Sequence, residues 1–358
     1  MLDVSERSGA LAKELGEVAI QASSMNASAL ARGIWDGATP EIIEQAEEAV
    51  RLAETLTDPR LLAQTTVTLG QLLQWHGEFE RAFGHLHKGL ELAREAHSAF
   101  AFGQSFFSLG NLSLSRGEYE QALGWYQQLN DYAQAAGDAF WLARIPNCTG
   151  AVSLELYDLE RALELQLEGD EAARKYSAWP EPRGHSLLKA GLVHLERTDY
   201  GRAEEFFLRA WALFEIDDVS RYRWHIPLLY ARGALALACG RHDEAGRFAT
   251  ESLALARKTH SRKHEAPAQR LQGEILAATG RLRESAPILE ASVTLARRLK
   301  VPRDEWMGAL ALGRLLLRLG EDKEAEVALN TAAATIESIA AGLKTDQFRG
   351  RSPGPRSI

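Results

Sequence analysis

Two histidine pairs, three runs of adjacent carboxylates, a file of side-chain amides and three evenly spaced cations are the groups in this chain that could do chemistry. His85 and His87 stand two residues apart, about 200° around a helix, and so cannot share a metal ion. His260 and His264 have a spacing that suits a metal on one continuous helix, but they straddle an expected loop between repeats. Arg257, Lys258, Arg262 and Lys263 surround them and would repel a cation. No metal site is expected. Glu47-Glu48, Glu204-Glu205 and Asp217-Asp218 read as solvated helix faces or helix ends. His-Glu-x-x-His, Gly-x-Ser-x-Gly and Gly-x-Gly-x-x-Gly do not occur, and no nucleophile–base set is visible. The chain is therefore read as no enzyme, with no cofactor.

The amides are Gln64, Gln71, Gln74, Gln104, Asn111 and Asn147, with Phe107 and Arg144 among them. A side-chain amide offers a donor and an acceptor and can match the backbone of an extended peptide. Arg144 could hold a carboxylate, and Phe107 could line an apolar pocket. The other reading is a concave face that is merely wettable. Arg223, Lys263 and Arg303 recur every 40 residues. They would stack along one edge of a repeat array, with Arg221 and Arg262 nearby, either to meet an acidic partner or to pair with Asp217, Asp218, Glu265 or acids of a neighbouring repeat.

These groups are positioned by a repeat. The segments HGEFERA, RGEYEQA, LYDLERA, RTDYGRA and LGEDKEA end at Ala82, Ala122, Ala162, Ala203 and Ala325, with weaker copies ending at Ala245 and Ser285. Twelve residues before each stands a glycine: Gly70, Gly110, Gly150, Gly191, Gly233, Gly273 and Gly313. A glycine inside a helix costs about 1 kcal/mol relative to alanine, so its recurrence requires a close approach of two helices, A and B. Gly77, Gly117, Gly240, Gly280 and Gly320 then mark the A–B turns, in the left-handed conformation that ends a helix. Seven residues after each turn position helix B carries Gly89, Leu129, Gly169, Ala210, Ser252, Ser292 and Ala332, mostly small, as expected where it abuts the next helix A. Thr39-Pro40-Glu41 reads as an N-cap and first turn of an earlier helix B. Pro59, Pro227, Pro267 and Pro302 are expected at helix A starts, and Pro146 implies a late start or a kink.

The expected fold is all-α: a right-handed superhelix, or α-solenoid, of seven to eight antiparallel helix pairs. Residues 1–25 would be N-terminal capping helices, 26–342 the array, and 343–358 a tail disordered from about 349. Composition agrees: 46% of residues are hydrophobic and 25% charged, with a net charge of −8, which excludes a general basic footprint for nucleic acid. No apolar run is long enough to span a membrane, and the start is no signal peptide. Cys148 and Cys239, far apart and outside any Cys-x-x-Cys motif, suit a reducing compartment as small buried groups, so the expected location is the cytoplasm.

The Gly-to-Ala spacing resembles the tetratricopeptide repeat, and the 40-residue period is similar to arrays of maltose-activator-like regulators and ATPase-linked class III adenylate cyclases. The stretches 221–245, 261–282, 305–325 and 334–353 sharpen that resemblance, which covers roughly residues 26–348. It implies an interaction module without the ATPase, since no Gly-x-x-x-x-Gly-Lys-[Ser/Thr] is present. The function read from the chain is a non-catalytic scaffold binding a protein or peptide in bacterial signalling. The alternative is a small-molecule sensor array regulating a separate ATPase, cyclase or transcription factor. Partner and oligomeric state stay open.

Overall fold

Helix A and helix B meet where the glycines predict. In the computed structural model, a Cβ on Gly70 would lie 2.8 Å from the Leu86 side chain, on Gly150 2.4 Å from Gln166, on Gly191 2.5 Å from Phe207, on Gly273 2.6 Å from Leu289 and on Gly313 2.7 Å from Leu329. The partner stands sixteen residues on in each case, so one crossing geometry recurs in these five pairs; Gly233 instead faces Leu271 of the next helix A at 2.8 Å.

The structure describes residues 2–177, 179–216 and 221–343, and every element among them is a helix. The order is α1 (Leu2–Leu15), α2 (Val18–Trp35), α3 (Pro40–Glu54), α4 (Pro59–His76), α5 (Phe79–Glu95), α6 (Ala99–Ser115), α7 (Tyr119–Ala136), the single turn α8 (Ala139–Leu142) and α9 (Ile145–Glu155). There follow α10 (Leu159–Tyr176), α11 (Glu181–Glu196), α12 (Tyr200–Ile216), α13 (Arg221–Ala238), α14 (His242–Lys258), α15 (Arg262–Ala278), α16 (Leu282–Leu299), α17 (Pro302–Leu319) and α18 (Asp322–Ala341). Helices α2 to α18 form eight successive A–B pairs, with α8 and α9 together making one helix A. The break before α9 falls at Pro146, which sits in the first turn of the resumed helix.

The chain divides into two compact units. Unit 1 comprises Met1–Leu112 with Lys258–Arg262, and unit 2 comprises Ser113–Arg257 with Lys263–Ile358. In unit 1 the 258–262 turn packs on the α2–α3 turn: a Cβ on Gly37 would meet the Thr259 carbonyl at 2.2 Å. His76 Nδ1 bonds the Ala38 carbonyl at 2.7 Å, and the His76 and His260 rings stack at 6.0 Å. The core of unit 2 is laid down in layers, one around Leu187, Phe206, Phe207, Phe214 and Leu228 and another around Leu289, Leu312, Leu315 and Leu316.

The five turn glycines all have φ between 72° and 97°. Two repeats lack the glycine, and there Tyr157 and Thr198 take the same left-handed conformation, at φ 57° and 59°. Thr39 caps α3 by accepting from the Ile42 amide at 3.4 Å, with Pro40 in the first turn.

Four expectations are corrected. Pro227 and Pro267 do not open helices; they lie inside α13 and α15, because those helices begin several residues earlier. The small helix B residues abut mainly their own helix A. A Cβ on Gly89 would meet Val67 at 2.5 Å, Ser252 Oγ donates to the Ile226 carbonyl and Ser292 Oγ to the Ala266 carbonyl. Gly169, against Ser186, and Ser292, whose Oγ would lie 3.5 Å from a Cβ on Gly308 of α17, also face the next helix A as expected. Cys148 is buried but Cys239 is exposed, since it follows the end of α13 in the Gly240 turn. The first helix A is longer than expected: α2 runs through the boundary drawn at 25/26. The expected tail beyond Leu343, with Asp217 and Asp218, lies outside the described residues.

Candidate functional site

Inside unit 2, charged side chains from successive A helices meet one another. Arg144, at the start of α9, pairs through Nη2 with Glu181 of α11, donates through Nη1 to the Phe140 carbonyl at 2.7 Å and lies 3.7 Å over the Phe140 ring. Arg303 of α17 reaches Glu155 of α9, four repeats earlier, with Nε 2.7 Å from Oε2. Arg270 of α15 is buried; it donates through Nη1 to Glu274 Oε1 at 2.7 Å and through Nη2 to the Tyr230 hydroxyl of α13. Each of these three guanidiniums therefore has a carboxylate, as a desolvated cation requires.

The charges do not balance everywhere. Lys189 of α11, Arg223 of α13 and Lys263 of α15 are half-buried and lie within electrostatic reach of one another. Burial depresses the Lys263 ammonium to about 8, and Arg223 and Lys189 push it the same way. Burial also lowers Lys189, against the pull of Glu155. His185 and His264 are driven well below the ordinary imidazole value, first by burial and then by these cations, so both rings are neutral at pH 7. The ring of His185 packs edge-on against Trp224 at 3.8 Å, and the Arg223 guanidinium lies 4.8 Å from that ring. On the acidic side, burial raises Asp304 to about 6 despite Arg303 and Arg270.

The three cations expected on one edge thus differ in their pairing. Arg223 and Lys263 stay together and gain Lys189 as a neighbour, whereas Arg303 is bound to Glu155. Glu265 pairs with Arg257 at 3.5 Å. All three cations are half-buried.

The expected amides behave unequally. In unit 1, Gln74 is buried and donates to the Ser108 carbonyl at 3.0 Å, and Gln104 is buried and donates to Ser108 Oγ at 3.1 Å. Gln64, Gln71, Phe107 and Asn111 are half-buried, and Gln64 borders a cleft with Ser24 and Asp58. In unit 2, Asn147 Nδ2 donates to Gln166 Oε1 at 2.7 Å, and Gln166 Nε2 returns a bond to the Asn147 carbonyl at 3.2 Å. Gln74 and Asn147 therefore hold helices together and Gln104 bonds within its own helix α6, roles that residue type and spacing alone do not distinguish from ligand binding.

Lys189, Glu155 and Glu181 escaped the sequence reading as site residues. Lys189 stands two residues before Gly191 and Glu155 five after Gly150, positions adjacent on the helix to the stripe chosen for the groove. Reading a wider arc around each glycine would have found them. Among the described residues no group of three or more His, Cys, Asp or Glu side chains is placed to hold a metal ion, and no helix is long and apolar enough to cross a membrane.

No family model matches the chain, and no curated protein matches it in sequence. Solved structures do. The chain is similar to a Rap protein complexed with competence and sporulation factor, at 12% identity and a TM-score of 0.72, over 95% of each chain. It is similar to the Rap conjugation gene regulator of the plasmid pLS20 in complex with the Phr* peptide, at 13% identity and a TM-score of 0.66, over 86% of this chain and 93% of that one. NprR in complex with its cognate peptide NprX is similar at 12% identity and a TM-score of 0.58, over 95% and 97%. Identities this low speak for the fold alone, and that fold is a tetratricopeptide-type array of stacked helix pairs.

Proposed function

We propose that this chain is a non-catalytic regulatory scaffold of bacterial signalling that captures a peptide or protein segment in the cytoplasm. The observation that carries the reading is the group of half-buried cations contributed by successive A helices of unit 2. A repeat array that needed only stability would fill such positions with apolar side chains. Here consecutive A helices place Lys189, Arg223 and Lys263, all half-buried, within electrostatic reach of one another, at a desolvation cost that a bound polar segment would offset. That the three structures named above carry peptides or a signalling factor supports the choice of ligand. The 40-residue period supports the finer kinship with maltose-activator-like arrays.

The test is capture of peptides by the immobilised full chain from a protease-digested bacterial lysate, with elution and sequencing. Asn111→Ala probes unit 1 and Arg144→Ala probes unit 2, each with its melting temperature measured alongside. Affinities near micromolar are expected, because each hydrogen bond contributes only about 0.5–1.5 kcal/mol net. A tenfold loss in either folded variant supports the reading. Retention of no peptide, together with a thermal shift induced by a metabolite, would transfer it to the small-molecule sensor.

A further inference from the structure

Three cations gathered on three successive A helices ordinarily bring three anions with them, because a half-buried ammonium loses hydration that only an opposite charge restores. Around Lys189 and Lys263 that compensation is missing. Among the described residues neither has a carboxylate in ion-pair contact. The nearby acids are engaged elsewhere, Glu155 by Arg303 and Glu181 by Arg144. Arg223 adds a third positive charge over Trp224. His185 and His264 contribute neutral rings, which can hydrogen-bond to a ligand without altering the charge. The overall net charge is −8, so a local excess of cations runs against the composition of the chain.

We propose that Lys189, Arg223 and Lys263, on three successive A helices of unit 2, form the seat for the carboxylates of an acidic peptide. This rests on the peptide-binding reading above and names the chemistry of its ligand. The cations are distributed over α11, α13 and α15, one repeat after another. An extended chain with acids at intervals meets such a row; a single compact anion would engage one end of it. Trp224, held against His185, supplies an apolar wall beside the row for an uncharged side chain of the same peptide. A carboxylate delivered to Lys263 would also offset the burial and the neighbouring Arg223 and Lys189 charges that now depress its ammonium.

The probe is a randomised hexapeptide library offered to the full chain in low salt, once with free and once with amidated C-termini. Peptides retained by the wild type should be enriched at least tenfold in Asp and Glu over Lys and Arg. If enrichment persists with amidated ends, side-chain carboxylates fill the seat; if it needs the free end, the terminal carboxylate does. Either result supports the proposal. Lys189→Gln with Lys263→Gln should abolish the enrichment while circular dichroism and melting stay folded, and Lys189→Arg with Lys263→Arg should restore it. A second measurement does not depend on variants. At pH 8 a limiting amine-acylating reagent should modify Lys263 faster than the exposed Lys88, and the retained acidic peptides should slow that modification at least fivefold. Retained peptides with no acidic bias, a bias that survives the glutamine pair, or no protection of Lys263 would overturn the acidic seat while leaving peptide binding intact. A library from which nothing of any charge is retained would sink the peptide reading itself.

Discussion

A lysine held near neutrality is a cost that the fold carries at physiological pH, and Lys263 makes that cost measurable. Its ammonium is depressed to about 8 by burial and by Arg223 and Lys189. Between about pH 8 and the ordinary lysine value the unfolded chain therefore holds more protons than the folded one, and stability rises with pH across that window. Below it the full penalty remains. Lys263→Met should raise stability at pH 7 by about 1–3 kcal/mol, with the gain shrinking as denaturation is repeated up to pH 10; a gain independent of pH would contradict the electrostatic origin. Thr198 is a second strained residue. It is exposed, β-branched and held at φ 59° where five other repeats use glycine. Thr198→Gly should stabilise by about 0.5–1 kcal/mol, relief of strain exceeding the extra entropy lost by glycine, and chemical denaturation checks it.

At the scale of the helix pair, glycines of two kinds sit in equivalent backbone and respond oppositely. Gly191 faces Phe207, where an added Cβ would lie 2.5 Å from the ring, so Gly191→Leu should destabilise by about 1–3 kcal/mol or more through overpacking. Gly246, inside α14, has nothing within 4 Å of an added Cβ. Gly246→Ala should therefore stabilise by about 0.8–1 kcal/mol from helix propensity alone. Thermal melts of the two variants give the contrast directly, and similar shifts for both would show that close approach is not what Gly191 serves. The helix pairs were legible because twelve-residue spacing and turn chemistry are local properties. Pro227 and Pro267 misled because a proline is compatible with more than one position near a helix start, and packing, not the proline, set where α13 and α15 begin.

Within unit 2, the turn before α7 lies close to the last helix pair. Gly117, in the turn before α7, lies so near α17 that an added Cβ would stand 2.9 Å from Pro302 and 3.5 Å from Ile339. A cleft of about 1100 Å³ opens there between residues 116–121 and α16 to α18. Arg303 and Glu155 also join α17 to the end of α9 through charge. Burial lowers the Arg303 guanidinium, but Glu155, Tyr157 and Asp304 outweigh it and raise it well above its ordinary value. Arg303→Ala should cost about 1–3 kcal/mol, because Glu155 is left half-buried without its partner. It should also speed hydrogen exchange at the ends of α9 and in the first turns of α7 and α17. Exchange confined to the mutated helix would mean that the pair does not hold the unit closed.

The sequence by itself determined that the chain is helical, where each A–B turn falls, and which glycines let two helices touch. Those are consequences of periodicity, backbone conformation and side-chain size, all written within a window of one repeat. It also marked Arg223, Lys263 and Arg303 as equivalent positions. Only the tertiary structure decided that they are not equivalent in charge, because Glu155 comes to Arg303 from four repeats away while Lys263 meets two more cations instead. Likewise, which amides are spent within the fold depended on partners such as Ser108 and Gln166, brought close by packing. Coulomb energy depends on distance in space, and a linear chain states distance in space only within its own repeat.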